Sequence, residues 1–157
     1  MDIEIQRVST PKEKVDATKV PFGTYFTDHM FLMDYETGKG WFDARIVPYG
    51  KLAFDAASTV YHYATEIFEG LKAYRTPDGA VQLFRPIENV RRMNNSAERM
   101  SLPQMDEDMM LEALLKFVSV EKDWVPDKPG TSLYLRPFLV AVDPCLSLHP
   151  VHQCVFC

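Results

Sequence analysis

Two consecutive stretches with helical periodicity lie between runs of β-prone residues, and that order restricts the fold more than any other feature of the chain. From Pro86, the apolar positions Ile87, Val90, Met93 or Asn94, Ala97 and Met100 or Ser101 recur near helical spacing. Proline suits a first helical position because its missing N–H would have no partner there. Leu102-Pro103 ends this helix. Asp106 is a cap for a second one, whose apolar stripe is read as Met110, Leu111, Leu114, Leu115 and Val118. Upstream, His29 to Met33 and Arg45 to Val47 are strand-like around a turn at Glu36-Thr37-Gly38-Lys39-Gly40. Asp55 to Val60 opens a short helix or turn. Ile67 to Tyr74 and Ala80 to Phe84 are expected to form a hairpin across Pro77-Asp78-Gly79. Downstream, a turn over 126–130 feeds one strand from Ser132 to Val142. The order predicts an α+β fold: a two-layer domain of mainly antiparallel sheet with helices packed on one side.

The 157 residues suit one domain, and 46% hydrophobic residues are enough for a core. Residues 1–20 read as a surface arm with at most a short strand, and 21–157 as the domain proper. A net charge of −5 without a basic stripe argues against nucleic acid as a partner. The acidic start Met1-Asp2-Ile3-Glu4-Ile5 lacks a signal-peptide apolar run, and no segment approaches the ~20 apolar residues that span a bilayer. A soluble, cytoplasmic protein away from membranes is the expectation. The three cysteines, Cys145, Cys154 and Cys157, include a formal C-x-x-C, but no second pair or nearby histidine pair completes a metal site. Buried small apolar residues are the expected role, with no metal.

The residues that carry chemistry are aromatic rings beside arginines. Tyr61 to Arg75 groups three tyrosines and a phenylalanine around a Glu69-Gly70 step, and a second cluster runs from Phe84-Arg85 to Arg92. On the final strand, Tyr134 and Arg136 share a face two residues apart. An arginine in an apolar strand is costly unless it meets an anion. For a lone arginine, a structural ion pair with an acid such as Glu69 is the ordinary explanation. Three such clusters together favour a site for a partly apolar organic anion.

From roughly Phe22 to Pro150 the chain resembles the small, N-terminal domain of branched-chain amino acid aminotransferases. These are fold-type IV pyridoxal-phosphate enzymes, in the group that includes D-amino acid transaminases and aminodeoxychorismate lyases. The matching blocks are Phe22 to Met30, Phe68-Glu-Gly-Leu-Lys-Ala-Tyr74, Leu83-Phe-Arg-Pro86 with Asn89 and Arg92, Ser96-Ala97 with Arg99, Lys122 to Pro126, and Gly130 to Pro137. The resemblance implies that Arg92 contacts the cofactor phosphate, a task that suits an always-charged donor fork. It assigns Phe22, Tyr63, Phe68 and Tyr134 to the wall around the substrate side chain. It gives Arg136, with Tyr134, the second carboxylate of glutamate. Leu146 and Leu148 match positions that cross a homodimer interface. The family commonly has Gly at the place of Ser147 and Val at that of Leu148, and a Gly position can demand backbone angles that serine tolerates poorly.

Lys72 is read as structural or surface. The family's Schiff-base lysine belongs to a later, large domain, so no residue here is assigned a catalytic role. The chain is therefore expected to be the N-terminal part of a transaminase for leucine, isoleucine or valine with 2-oxoglutarate in amino-acid biosynthesis, inactive as an isolated fragment. The alternatives are a D-amino acid transaminase or lyase of the same fold, or a non-catalytic dimerisation or binding module.

Overall fold

The computed structural model describes residues 1–157. β2 (His29–Glu36) and β3 (Gly40–Pro48) form an antiparallel hairpin, and β1 (Glu4–Ile5), from the N-terminal arm, lies parallel to β3. A short helix α1 (Thr59–Tyr63) leads into β4 (Glu66–Phe68). With β8 (Phe138–Ala141) and β9 (Gln153–Phe156) these strands make a six-stranded sheet in the order β1-β3-β2-β9-β8-β4. A second sheet has three strands, β6 (Val81–Leu83), β5 (Leu71–Arg75) and β7 (Leu133–Leu135), in that order. Apart from β1 with β3, every pairing is antiparallel.

Two runs expected to be continuous strands are each split between the sheets. Ile67 to Tyr74 breaks at Glu69-Gly70 into β4 and β5, and Ser132 to Val142 breaks at Arg136-Pro137 into β7 and β8. The two breaks face each other. Phe68 pairs with Phe138 on one side and Leu71 with Leu135 on the other, so the register carries through the bend unchanged. At the bend the Glu69 N–H donates to the Pro137 carbonyl at 2.8 Å. Pro137 has no N–H to return, which leaves the ribbon free to turn there. One bent ribbon thus joins both sheets.

The helices are α2 (Pro86–Arg99) and α3 (Glu107–Val120). In α2 the buried residues are Val90, Met93 and Ala97, on the stripe read from the sequence. In α3 the Asp106 side chain accepts from the Met109 N–H, as a cap does, but the buried face is Met110, Ala113, Leu114 and Val118. Leu111 is only half-buried and Leu115 is 51% exposed. The small Ala113 lies on the row that meets the core, and a large residue next to that row is not buried by virtue of its size alone. Both helices share one core with the inner face of the large sheet (Phe31, Met33, Ile46, Leu139 and Phe156) and with Leu71, Ala73 and Leu135 of the small one. The outer face of the large sheet carries a smaller cluster around Leu32, Val140 and Val155.

All three cysteines are free thiols, and burial pushes both Cys154 and Cys157 up to about 12. Thiols so shifted stay protonated and unreactive near neutral pH.

A buried polar network that the sequence did not reveal holds the arm. His29 and Glu121 are both buried, with Nδ1 2.5 Å from the carboxylate, while Nε2 accepts the Val8 N–H at 3.0 Å. An accepting Nε2 makes the ring neutral, with Nδ1–H donating to Glu121. The other Glu121 oxygen accepts the Asp28 N–H at 3.0 Å; the Asp28 carboxylate accepts from the Lys12 N–H at 2.8 Å and the Trp124 indole at 2.9 Å. Residues 8–28 make few backbone hydrogen bonds to the body, so side chains fix their path. Glu121→Ala strands two buried donors and is expected to cost about 3 kcal/mol in urea unfolding. It should also expose Lys12, Lys14 and Lys19 to trypsin. Cleavage of the arm at the unmodified rate would show that the network does not hold it.

Candidate functional site

The bend in the ribbon gathers the chemistry. Glu69 sits at the bend, its side chain only 5% exposed, and points to α2. Arg92, two turns into α2, meets it from the solvent side with Nε and Nη2 donating to the two carboxylate oxygens at 2.5 and 2.7 Å. Asn89, one turn earlier on the same helix, donates to Glu69 at 3.0 Å and to the Gly70 carbonyl at 3.2 Å. Burial pushes the Glu69 carboxyl up, but hydrogen bonds from Arg92, Asn89 and the Gly70 N–H outweigh it and hold the group below its ordinary range. A depressed folded-state value means that this stabilisation is present above the unfolded pKa and is lost as pH falls through the folded one.

On the neighbouring residues the same bend presents aromatic rings. The Arg136 guanidinium lies 4.4 Å from the centroid of Phe68, and its Nε and Nη2 donate to the Tyr134 hydroxyl at 3.2 and 3.1 Å. Phe22, just after the arm, meets Tyr134 edge-on at 4.9 Å between centroids. Gly70 is why Tyr134 fits: a Cβ at that position would collide with the tyrosine hydroxyl. No carboxylate pairs with Arg136, so the ordinary explanation of a lone arginine, an ion pair with an acid such as Glu69, does not apply here; Arg92 holds that acid.

Not all the expected residues open onto one space. Phe22, Tyr134 and Arg136 line a cleft of about 1280 Å³ beneath the arm, whereas Tyr63, Phe68, Arg92, Leu146 and Leu148 do not. Phe68 is tied to the cleft through Arg136, and Arg92 through Glu69 and Gly70. Tyr63, at the end of α1, donates its hydroxyl to the Leu146 carbonyl. That loop is shaped by buried Asp143, whose carboxylate accepts the N–H groups of His152 and Gln153, leaving Leu146 61% and Leu148 83% exposed. Ser147 is not among the residues with positive φ, so the strain expected of serine at this position does not arise. Lys72 is exposed on β5, and no lysine hydrogen-bonds with any of these side chains. No group of acids, histidines and cysteines is placed to hold a metal.

No family model matches the chain. Curated relatives do. The chain is 55% identical over 146 residues to branched-chain-amino-acid transaminase 1 of Bacillus subtilis, and 44% identical over 133 residues to a branched-chain-amino-acid aminotransferase of Mycolicibacterium smegmatis. Those matches cover 93% and 84% of this chain. The chain is a homologue of the branched-chain aminotransferases. It spans 41% and 36% of the length of those two relatives. The fold agrees. A branched-chain aminotransferase of Thermoproteus uzoniensis, solved with norvaline, superposes on 82% of this chain with a TM-score of 0.61 at 21% identity. The branched-chain amino acid aminotransferase of Thermobaculum terrenum, solved in its PLP form, also covers 82%, with a TM-score of 0.56 at 18% identity. In each case about two fifths of the solved chain is matched, 39%. The α+β reading holds, with helices on one side of the large sheet and the bent ribbon as the element that reading lacked.

Gly70 and Glu69 are the residues that sequence reasoning did not place in the site. The Glu-Gly step was visible, but its two contacts, to Tyr134 and Arg92, are long-range. Gly70→Ala is expected to displace the Tyr134 ring, cost about 2 kcal/mol in thermal unfolding and break the Tyr134–Arg136 hydrogen bonds. An unchanged Tyr134 ring environment in NMR spectra of that variant would contradict the close approach.

Proposed function

We propose that this chain is the N-terminal part of a branched-chain amino acid aminotransferase, supplying one wall of the substrate site and one anchor for the phosphate of pyridoxal 5'-phosphate. The observation that carries the reading is Arg136: a guanidinium without a carboxylate partner, laid on Phe68 and held by Tyr134. Rings alone suit leucine, isoleucine or valine. A cation set among the rings lets glutamate or 2-oxoglutarate place its second carboxylate in the same space. Phe22 and Tyr134 form the ring wall beside it, Phe68 backs the guanidinium, and Tyr63 is proposed to join from the Leu146 loop.

Arg92 fits the phosphate role. Its side chain is 65% exposed and Nη1 has no protein partner, so donors remain for an anion after Glu69 is satisfied. Pyridoxal phosphate, when bound, supplies an aldehyde for the amino group and a ring that accepts the electrons of the substrate carbon. The lysine that pairs with that aldehyde is assigned to the remainder of the protein, and this chain alone is expected to be inactive. Leu146 and Leu148, both exposed, are proposed to pack against a second copy in a homodimer.

In the complete enzyme, Arg136→Gln should lower kcat/KM for 2-oxoglutarate about 100-fold and that for the leucine-derived 2-oxo acid by less than about threefold. Equal losses for both substrates would remove Arg136 from carboxylate recognition.

A further inference from the structure

We propose that Glu69 is a positioning residue for Arg92: it fixes the guanidinium plane so that only one edge faces an incoming anion, and it does so through geometry, against its own charge. The inference rests on the reading of Arg92 as the anion anchor and adds how that anchor is held. Three observations carry it. Glu69 takes Nε–H and one Nη2–H in a fork, so the guanidinium cannot rotate without breaking two charge-assisted bonds. Glu69 cannot swing either, because Asn89 and the Gly70 N–H hold its Oε2 at 3.0 and 3.2 Å and its backbone N–H is tied to Pro137. Arg92 is otherwise exposed, and no other protein group hydrogen-bonds with its guanidinium.

An exposed arginine ordinarily gives up its rotamer freedom when it captures a ligand. Here that ordering is already in place. The free donors are the two N–H groups of Nη1 and the outer one of Nη2, a coplanar set suited to two oxygens of a phosphate monoester. The arrangement also has an electrostatic consequence. The Glu69–Arg92 pair has no net charge, so its attraction for a distant anion is weak and its selectivity comes from donor direction. Such a site favours a phosphate group that meets the fork squarely over a diffuse anion.

Geometry and charge make opposite forecasts, and that makes the proposal testable. If charge dominates, removing the Glu69 carboxylate strengthens phosphate binding. If positioning dominates, it weakens it. Asn89→Ala separates the two further, because it loosens Glu69 without altering any charge. The experiment is a titration of the full chain with inorganic phosphate, followed by NMR at the Arg92 Nε–H signal. The comparison set is Glu69→Gln, Asn89→Ala and the doubly neutral Glu69→Gln/Arg92→Gln, each first shown to be folded by its methyl spectrum.

Expected are a phosphate-dependent shift in the unmodified chain, about tenfold weaker binding in Glu69→Gln, about threefold weaker binding in Asn89→Ala, and none in the double variant. The Arg92 Nε–H should exchange faster with water in both single variants. Unchanged or tighter binding in Glu69→Gln together with unchanged binding in Asn89→Ala would overturn the positioning role while leaving Arg92 as the anchor. Phosphate binding that survives in the double variant, or is absent from the unmodified chain, would overturn the anchor reading itself. Should Glu69→Gln fail to fold, Asn89→Ala alone decides: undiminished affinity there refutes positioning.

Discussion

A buried carboxylate at the turn of a two-stranded ribbon organises this protein. Glu69 lies where β4 becomes β5, opposite the point where β7 becomes β8, and the ribbon changes sheet there without losing register. A charge so placed requires partners, and those it finds are Arg92 and Asn89, a single turn apart on α2. The acid therefore ties the helical layer to the bend. Its neighbours Phe68 and Gly70 face Arg136 and Tyr134. Three consecutive residues thus connect a helix-borne cation to a ring-borne one.

The contrast between the two arginines is informative. Arg92 is tied to a carboxylate and offers directional donors with little net field. Arg136 has no acid partner; a ring and a phenol hold it, so its charge stays uncompensated. A neutralised fork suits a ligand group that must dock in one orientation, as a cofactor phosphate does. An uncompensated cation on an aromatic wall suits a group that is present in one substrate and absent from another. Both are held by the same short stretch of ribbon, so on the proposed reading a small domain would contribute to two parts of one ligand.

Legibility in the sequence followed the range of the interactions. The α2 stripe of Val90, Met93 and Ala97 was readable because helical spacing is local. In α3 hydrophobicity pointed to Leu111 and Leu115, whereas the buried row runs through Ala113, because the side of the helix that meets the core decides burial and side-chain size does not. The strands were read as too long, although Pro137 carried the signal for a break: without an N–H it cannot continue the ladder. An ion pair between Glu69 and Arg136 was the ordinary alternative to a ligand site; the partner that Glu69 takes lies 23 residues away on a helix, beyond the reach of strand spacing. The His29–Glu121 contact spans 92 residues and had no local signature at all. The family resemblance supplied candidate site residues that spacing could not, and the fold distributes them between a cleft, a bend and an exposed loop.

If the bend makes one binding surface of the Arg92 anchor and the Arg136 wall, a single ligand must engage both. The most direct measurement is an NMR titration of the chain with N-(5'-phosphopyridoxyl)-L-glutamate, in which the phosphate and the side-chain carboxylate sit on one molecule. Signals from the Arg92 and Arg136 Nε–H groups and the Tyr134 ring should move together and saturate at a single dissociation constant. Movement of only one arginine, or two separate constants for the two, would show that the bend does not unite them.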